Sequence, residues 1–173
     1  MRRDNGEMRR QGGLLAMLGQ QPHARACIRG SEEYADLTGC VRFYQTRWGV
    51  LVSAEVWGLP TSDEKCGSSV FAFHIHRGES CTGNESDPFA DALTHYDPGD
   101  CPHPHHAGDL PPLFGNNGYA FQTVLTDRFR VGEIIGKTVI IHAGVDDFTS
   151  QPAGNAGKKI ACGEIRPICP CRM

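Results

Sequence analysis

Several kinds of segment are missing from this 173-residue chain, and each absence excludes a class of protein. No stretch approaches the roughly 18 consecutive apolar residues that a membrane helix needs. A surplus of basic charge is missing too: the formal net charge is −3, which excludes a generally basic nucleic-acid binder. There is no heptad pattern and no repeat of about 20–50 residues, which removes coiled coils and solenoids. The apolar run Leu14-Leu15-Ala16-Met17-Leu18 follows Arg2, Arg3, Arg9 and Arg10 but is shorter than the about 7–15 residues of a secretory core, and Gln20-Gln21 ends it. The chain is therefore expected to stay in the cytoplasm, where the sequon Asn84-Glu85-Ser86 has no use. Gly136-Lys137-Thr138 resembles the end of a phosphate loop, but Val131 stands where that motif needs its first glycine.

What is present points to a small β protein. Hydrophobic residues make up 39% and charged residues 21%, enough for a packed core in one domain. With 21 Gly and 11 Pro, the chain favours many turns over long helices. Residues 1–23 read as a polar tail or short helix, net basic in its first ten residues. Alternating patterns then predict strands at 24–29, 41–45, 50–57, 70–76, 119–126, 137–142 and 159–165. A helical turn is expected at 131–135. Residues 77–112 and 143–158 show no strand pattern, and irregular stretches of that length inside a compact domain are usually functional. The domain is expected to span 24–167, with a Cys-containing tail at 168–173.

The histidines carry the chemistry. Seven of eight lie between positions 74 and 142. His74 and His76 are two apart on a strand, so both imidazoles project from one face while Ile75 packs behind. His95, the group His103-Pro104-His105-His106, Asp109 and His142 join them. Imidazole and carboxylate suit copper and zinc, and this many ligands exceed what one ion needs, so two ions are expected. Of His103 and His105, His103 is preferred because it leaves more chain between successive ligands. Eight cysteines are many for a reducing compartment.

Phe73-His74-Ile75-His76, Cys81, Thr94-His95-Tyr96-Asp97-Pro98, His106-Ala107-Gly108-Asp109-Leu110-Pro111 and Ile135 through His142 occur in an order that resembles the copper/zinc superoxide dismutases. Asp146-Asp147, Gly154-Asn155-Ala156-Gly157 and Ala161-Cys162-Gly163 extend the likeness, which covers about Ala24 to Ile165. It implies an eight-stranded Greek-key β-barrel or sandwich with two long functional loops. It implies copper on His74, His76, His95 and His142, and zinc on His95, His103, His106 and Asp109, with the ring of His95 shared. Asp146 would orient one ligand of each metal, and Cys81–Cys162 would be a disulfide. The implied reaction is dismutation of superoxide by Cu(II)/Cu(I) cycling, with His95 supplying a proton and Lys159 guiding the anion. A homodimer and a copper donor are the partners it allows.

Three features depart from the family pattern. Lys159 replaces the usual arginine beside copper, keeping the charge but losing the planar fork. Both loops are short. Cys101, Cys169 and Cys171 are extra, and Cys169-Pro170-Cys171 could hold a soft metal through thiolates. The lysine and the short loops leave room for a non-enzymatic relative that stores or delivers copper or zinc. A zinc hydrolase would want an open three-ligand ion and a nearby base, which four histidines on one ion do not suit.

Overall fold

The computed structural model describes residues 13–62 and 67–168. Cys66, Cys169-Pro170-Cys171 and the basic start of the chain lie outside the described residues. After a short helix α1 (Leu14–Met17) come eight strands: β1 (Ala24–Gly30), β2 (Thr38–Thr46), β3 (Gly49–Trp57), β4 (Val70–His76), β5 (Asp109–Phe114), β6 (Ala120–Thr126), β7 (Thr138–His142) and β8 (Lys159–Pro167). A single helical turn, α2 (Val131–Ile134), precedes β7. No helix among the described residues is long and apolar enough to cross a membrane.

All the strands join one antiparallel sheet in the order β5-β4-β7-β8-β1-β2-β3-β6. Its two edges meet where Gln122 Nε2 on β6 donates to the carbonyl of Pro111 on β5 at 3.0 Å, so the sheet curls into a nearly closed barrel. The period of two sorts the side chains. On β1, Ala24, Ala26 and Ile28 are buried while Arg25, Cys27 and Arg29 face water. Phe43, Val52, Phe73, Ile75, Leu113, Val139, Ile141 and Ile165 fill the interior; burying a side chain of this size contributes about 1.5–3 kcal/mol.

The predicted strands are present, and one more was missed. Asp109–Phe114 falls across the stretch expected to be irregular. Its Pro111-Pro112 argues against a central strand, but β5 is an edge strand, where a missing N–H is tolerated. Its pairing with β4 also shifts register around those prolines.

A second, smaller apolar cluster sits outside the barrel: Phe89, Ala92, Ile140 and Cys162, packed against Cys81. The Cys81–Cys162 disulfide fastens the loop after β4 to β8 across 81 residues. A cross-link closing so long a loop is worth about 4–5 kcal/mol by loop entropy.

Candidate metal centre

Strand β4 is buried on both faces: Phe71, Phe73 and Ile75 point into the barrel, while His74 and His76 point out beneath the loops. Strand β7 lies beside β4, and its last residue, His142, joins them on the outer face. At that point Ile160 is an extra residue in β8, which shifts the register between Ile141 and His142. His95 is brought to the same place because its segment continues the sheet: Arg77 N–H donates to Thr94 O at 2.9 Å and Tyr96 N–H to Ile75 O at 2.8 Å.

The remaining ligand candidates arrive on the loop before β5. Gln151 clasps His103 from both sides, accepting its N–H at 3.0 Å and donating to its carbonyl at 2.7 Å. Arg128 draws the loop together by donating to the carbonyls of Pro104, His106 and Asp109 at 3.0, 3.3 and 3.1 Å. His103 is buried within the cluster; His105 is exposed outside it.

Two groups result. One joins His74, His76, His95 and His142; the other joins His95, His103, His106 and Asp109; in each, the ligand atoms lie within 4.8 Å of one another. His95 belongs to both. Its Nδ1 lies 3.2 Å from His106 Nδ1 and 2.7 Å from Asp109 Oδ1.

The hydrogen bonds behind the rings fix their tautomers. His74 Nε2–H donates to Asp146 Oδ2 at 2.7 Å and His103 Nε2–H to Asp146 Oδ1 at 2.8 Å. His76 Nδ1–H donates to Leu93 O at 2.9 Å and His142 Nδ1–H to Gly157 O at 3.2 Å. Carboxylates and carbonyls only accept, so each ring turns a bare lone pair toward the centre of its group. His76 Nε2 and His142 Nε2 thus face each other 3.3 Å apart, both as acceptors.

Of the four buried polar side-chain atoms with no hydrogen-bond partner among the described residues, three are ring nitrogens here: His74 Nδ1, His95 Nε2 and His103 Nδ1. His103 Nδ1 is 3.0 Å from Asp109 Oδ2, yet the two are not aligned as donor and acceptor. Unsatisfied buried acceptors cost about 1–3 kcal/mol each. A cation at the centre of each group satisfies them. Metal–nitrogen bonds of 2.0–2.1 Å around a tetrahedral ion separate ligand atoms by about 3.3 Å, close to the spacings seen here. The residues fit one soft-to-borderline ion on four imidazoles and one zinc-like ion on three imidazoles and a carboxylate.

The electrostatics agree with metal-ready ligands. Burial holds His74 and His76 below the usual imidazole range and brings His142 down to about 3, so these rings stay neutral. Burial alone would raise Asp109 and Asp146. The hydrogen bond from His95 and the adjacent imidazoles instead take Asp109 below the ordinary carboxylate range. Hydrogen bonds from His74, the Phe148 N–H and His103 do the same for Asp146. Asp146 sits against Gly154, whose φ is +64°; a Cβ there would stand 2.0 Å from Asp146 Oδ1.

His76, His95 and His142 open onto a cavity of about 800 Å³, which Asp87, Lys158 and Lys159 also line. Lys159 Nζ is anchored to the loop above, donating to Asp87 Oδ2 at 2.6 Å and to Phe89 O at 3.0 Å. Lys158 beside it is exposed. The sequence reading named the histidines, Asp109, Asp146, Lys159 and, within a family motif, Gly154, but not Arg128, Gln151 or Asp87. Those three act through contacts between distant segments that leave no local pattern.

Comparison with known proteins points the same way. Residues 37–165 match the family described as copper/zinc superoxide dismutase (SODC). The chain is 34% identical over 168 residues to superoxide dismutase [Cu-Zn] 2 of Aquifex aeolicus, covering 88% of this chain and 92% of that protein. It is 32% identical over 166 residues to the Cu-Zn superoxide dismutase of Deinococcus radiodurans, covering 86% of each, and 33% identical over 143 residues to that of Photobacterium leiognathi. A nearly closed eight-stranded barrel, with a doubly used imidazole on its outer wall and sequence agreement over most of its length, leaves one assignment: the chain belongs to the copper/zinc superoxide dismutase family.

Proposed function

We propose that this protein disproportionates superoxide to dioxygen and hydrogen peroxide at a paired copper and zinc centre. The observation that carries the reading is His95, which belongs to both adjoining ligand groups, with Nδ1 against His106 and Asp109. His74, His76, His95 and His142 would hold copper; His95, His103, His106 and Asp109 would hold zinc. Copper supplies a one-electron couple that superoxide can reduce and reoxidise, and zinc supplies a fixed, redox-inert positive charge.

The protein's own part is geometric and electrostatic. Asp146 keeps His74 and His103 aimed at their two ions through one carboxylate, so movement at one site is felt at the other. The ring of His95 is held on its Nδ1 side, 2.7 Å from Asp109 Oδ1, which would leave Nε2 as the nitrogen that holds and releases a proton during turnover. Lys159 offers positive charge at the cavity wall, and its link to Asp87 and Phe89 O fixes where that charge sits. Because the protein's net charge is negative, attraction of the anion depends on this local field and is sensitive to salt.

The test is metal analysis with a superoxide-decay assay on copper- and zinc-loaded protein. One copper and one zinc per chain with rapid decay support the reading; zinc alone, with no decay after copper is added, favours storage or delivery. Two finer parts belong to the same proposal. A homodimer is supported by Trp57, Phe114, Phe121 and Leu125, exposed around β3, β5 and β6, and sedimentation of the loaded protein at a single-chain mass would count against it. Loading by a copper donor is supported by the open cavity beside His76 and His142. It is checked by comparing copper content after expression with and without the host's copper chaperones.

A further inference from the structure

On the outer face of β1 and β2, remote in sequence from the clustered histidines of the metal centre, two free cysteines stand directly opposite each other. Cys27 pairs with Cys40 in an unbroken register from Ala24↔Phe43 to Arg29↔Thr38. Gly30 N–H donates to Leu37 O at 2.8 Å, which makes that position hydrogen-bonded. Antiparallel pairs alternate, so Cys27 and Cys40, three steps along, form a non-hydrogen-bonded pair. In such pairs the Cα atoms approach to about 4.5 Å and the side chains are at their closest. Disulfides form across Cα separations of about 4.4–6.8 Å.

We propose that Cys27 and Cys40 are a peroxide-oxidisable dithiol that closes into a second disulfide, across strands β1 and β2. Cys27 is exposed and meets the oxidant first; Cys40 is half-buried beside it. In the first step the Cys27 thiolate sulfur attacks one oxygen of hydrogen peroxide. The O–O bond breaks, hydroxide leaves, and the sulfur, two electrons poorer, becomes a sulfenic acid. In the second step the Cys40 sulfur displaces hydroxide from Cys27, forming the S–S bond, and the Cys40 thiol proton leaves with that hydroxide as water. Two thiols and one peroxide give one disulfide and two waters.

The surroundings suit these roles. Burial pushes the Cys40 thiol up, against the pull of Arg42, so it enters the second step still carrying its proton. Arg25 and Arg29 flank Cys27 on the same outward face of β1, and Arg42 lies 3.6 Å from Glu55, the residue opposite Cys40 on β3. Glu164, on β8 beside Cys27, is paired with Arg166. A competing route exists, because Cys27 also lines a groove of about 510 Å³ with Cys81 and Cys162 and could attack that disulfide instead.

The oxidant is the product of the reaction proposed above, but the pairing itself does not depend on that reading, and added peroxide tests it independently. The metal-loaded full-length protein is treated with hydrogen peroxide, its remaining thiols are alkylated, and tryptic peptides are mapped. Cleavage after Arg25, Arg29 and Arg42 separates 26–29 from 30–42. The expected result is a dose-dependent linked pair of these peptides and the loss of two free thiols. With Cys40→Ser the link is lost and Cys27 is trapped by dimedone as a sulfenic acid; with Cys27→Ser, Cys40 stays reduced. Recovery of both peptides alkylated, separate sulfinic acids, or Cys27 linked to Cys81 or Cys162 overturns the proposal. If the link forms in a protein that shows no superoxide decay, only the dismutase reading fails.

Discussion

Two walls of the same barrel are built from similar strands and end up in opposite states. On β1 the outward residues Arg25, Cys27 and Arg29 stand in water. On β4 and β7 the outward residues His74, His76, Thr138, Ile140 and His142 are all buried. Strand geometry is the same; the covering differs. The loop after β4, held down by Cys81–Cys162 and the Phe89–Ile140 cluster, and the loop after β7 roof one wall and leave the other bare. A polar side chain on the bare wall finds water, whereas the histidines of the roofed wall turn their ring nitrogens to protein acceptors or toward the place of an ion. The metal centre is the consequence of roofing a histidine-bearing strand.

The largest effects are expected from removing ligands on the roofed wall. His142→Ala should abolish superoxide decay and copper binding while zinc stays, and Asp109→Ala should shed zinc first. Asp146→Ala, which strips the shared hydrogen bonds from His74 and His103, should weaken both metals by about 10–100-fold. Metal content by mass spectrometry checks all three. Retention of both metals in His142→Ala and Asp109→Ala would break the division of ligands between the two ions.

Acid should distinguish the walls next. His142 has a folded pKa near 3 against 6.5 when unfolded, and burial lowers His74 and His76 in the same direction. Between those values the unfolded chain binds more protons, so stability falls as pH falls. The contribution is complete above about pH 6.5 and is lost on approaching pH 3, at up to about 1.4 kcal/mol per pH unit for each such ring. Urea melts of metal-free protein should therefore show a steep decline across that window. His142→Ala should flatten it, whereas changes on the bare wall should not. A slope unchanged by His142→Ala would mean the ring is not held neutral by the fold.

How much of this was legible beforehand follows the same divide. Alternation found the extent of β3 and the buried face of β4 because period two is local, and His-x-His on a strand put two ligands on one side without any tertiary information. Strand β5 was missed because Pro111-Pro112 argues against a strand unless its edge position is known. The clasp of Gln151 on His103 and the three carbonyls taken by Arg128 are contacts between distant segments with ordinary residue types. Asp87 was invisible for the same reason, although it changes what Lys159 can do.

That pairing sets a smaller, salt-dependent expectation. Asp87 takes part of the charge that Lys159 would present to an anion. Lys159→Glu should lower the bimolecular rate severalfold, most at low ionic strength, and Asp87→Asn should raise it under the same conditions. Both effects should shrink as salt is added. If Asp87→Asn instead slows the reaction at every ionic strength, the aspartate matters for where it holds the ammonium, not for the charge it removes.

The smallest effect belongs to the bare wall, and its smallness is the point. Arg25→Ala removes an exposed side chain from the outer face of β1, opposite Arg42 on β2 and Arg166 on β8. Three like charges in a row across neighbouring strands repel one another weakly through water. The substitution should therefore shift stability by no more than about 0.5 kcal/mol, in either direction, and leave both metals and the superoxide-decay rate unchanged. A clear loss of metal would mean that the bare wall transmits strain through the barrel to β4 and β7. In that case the loops alone do not explain why one wall carries chemistry and the other does not.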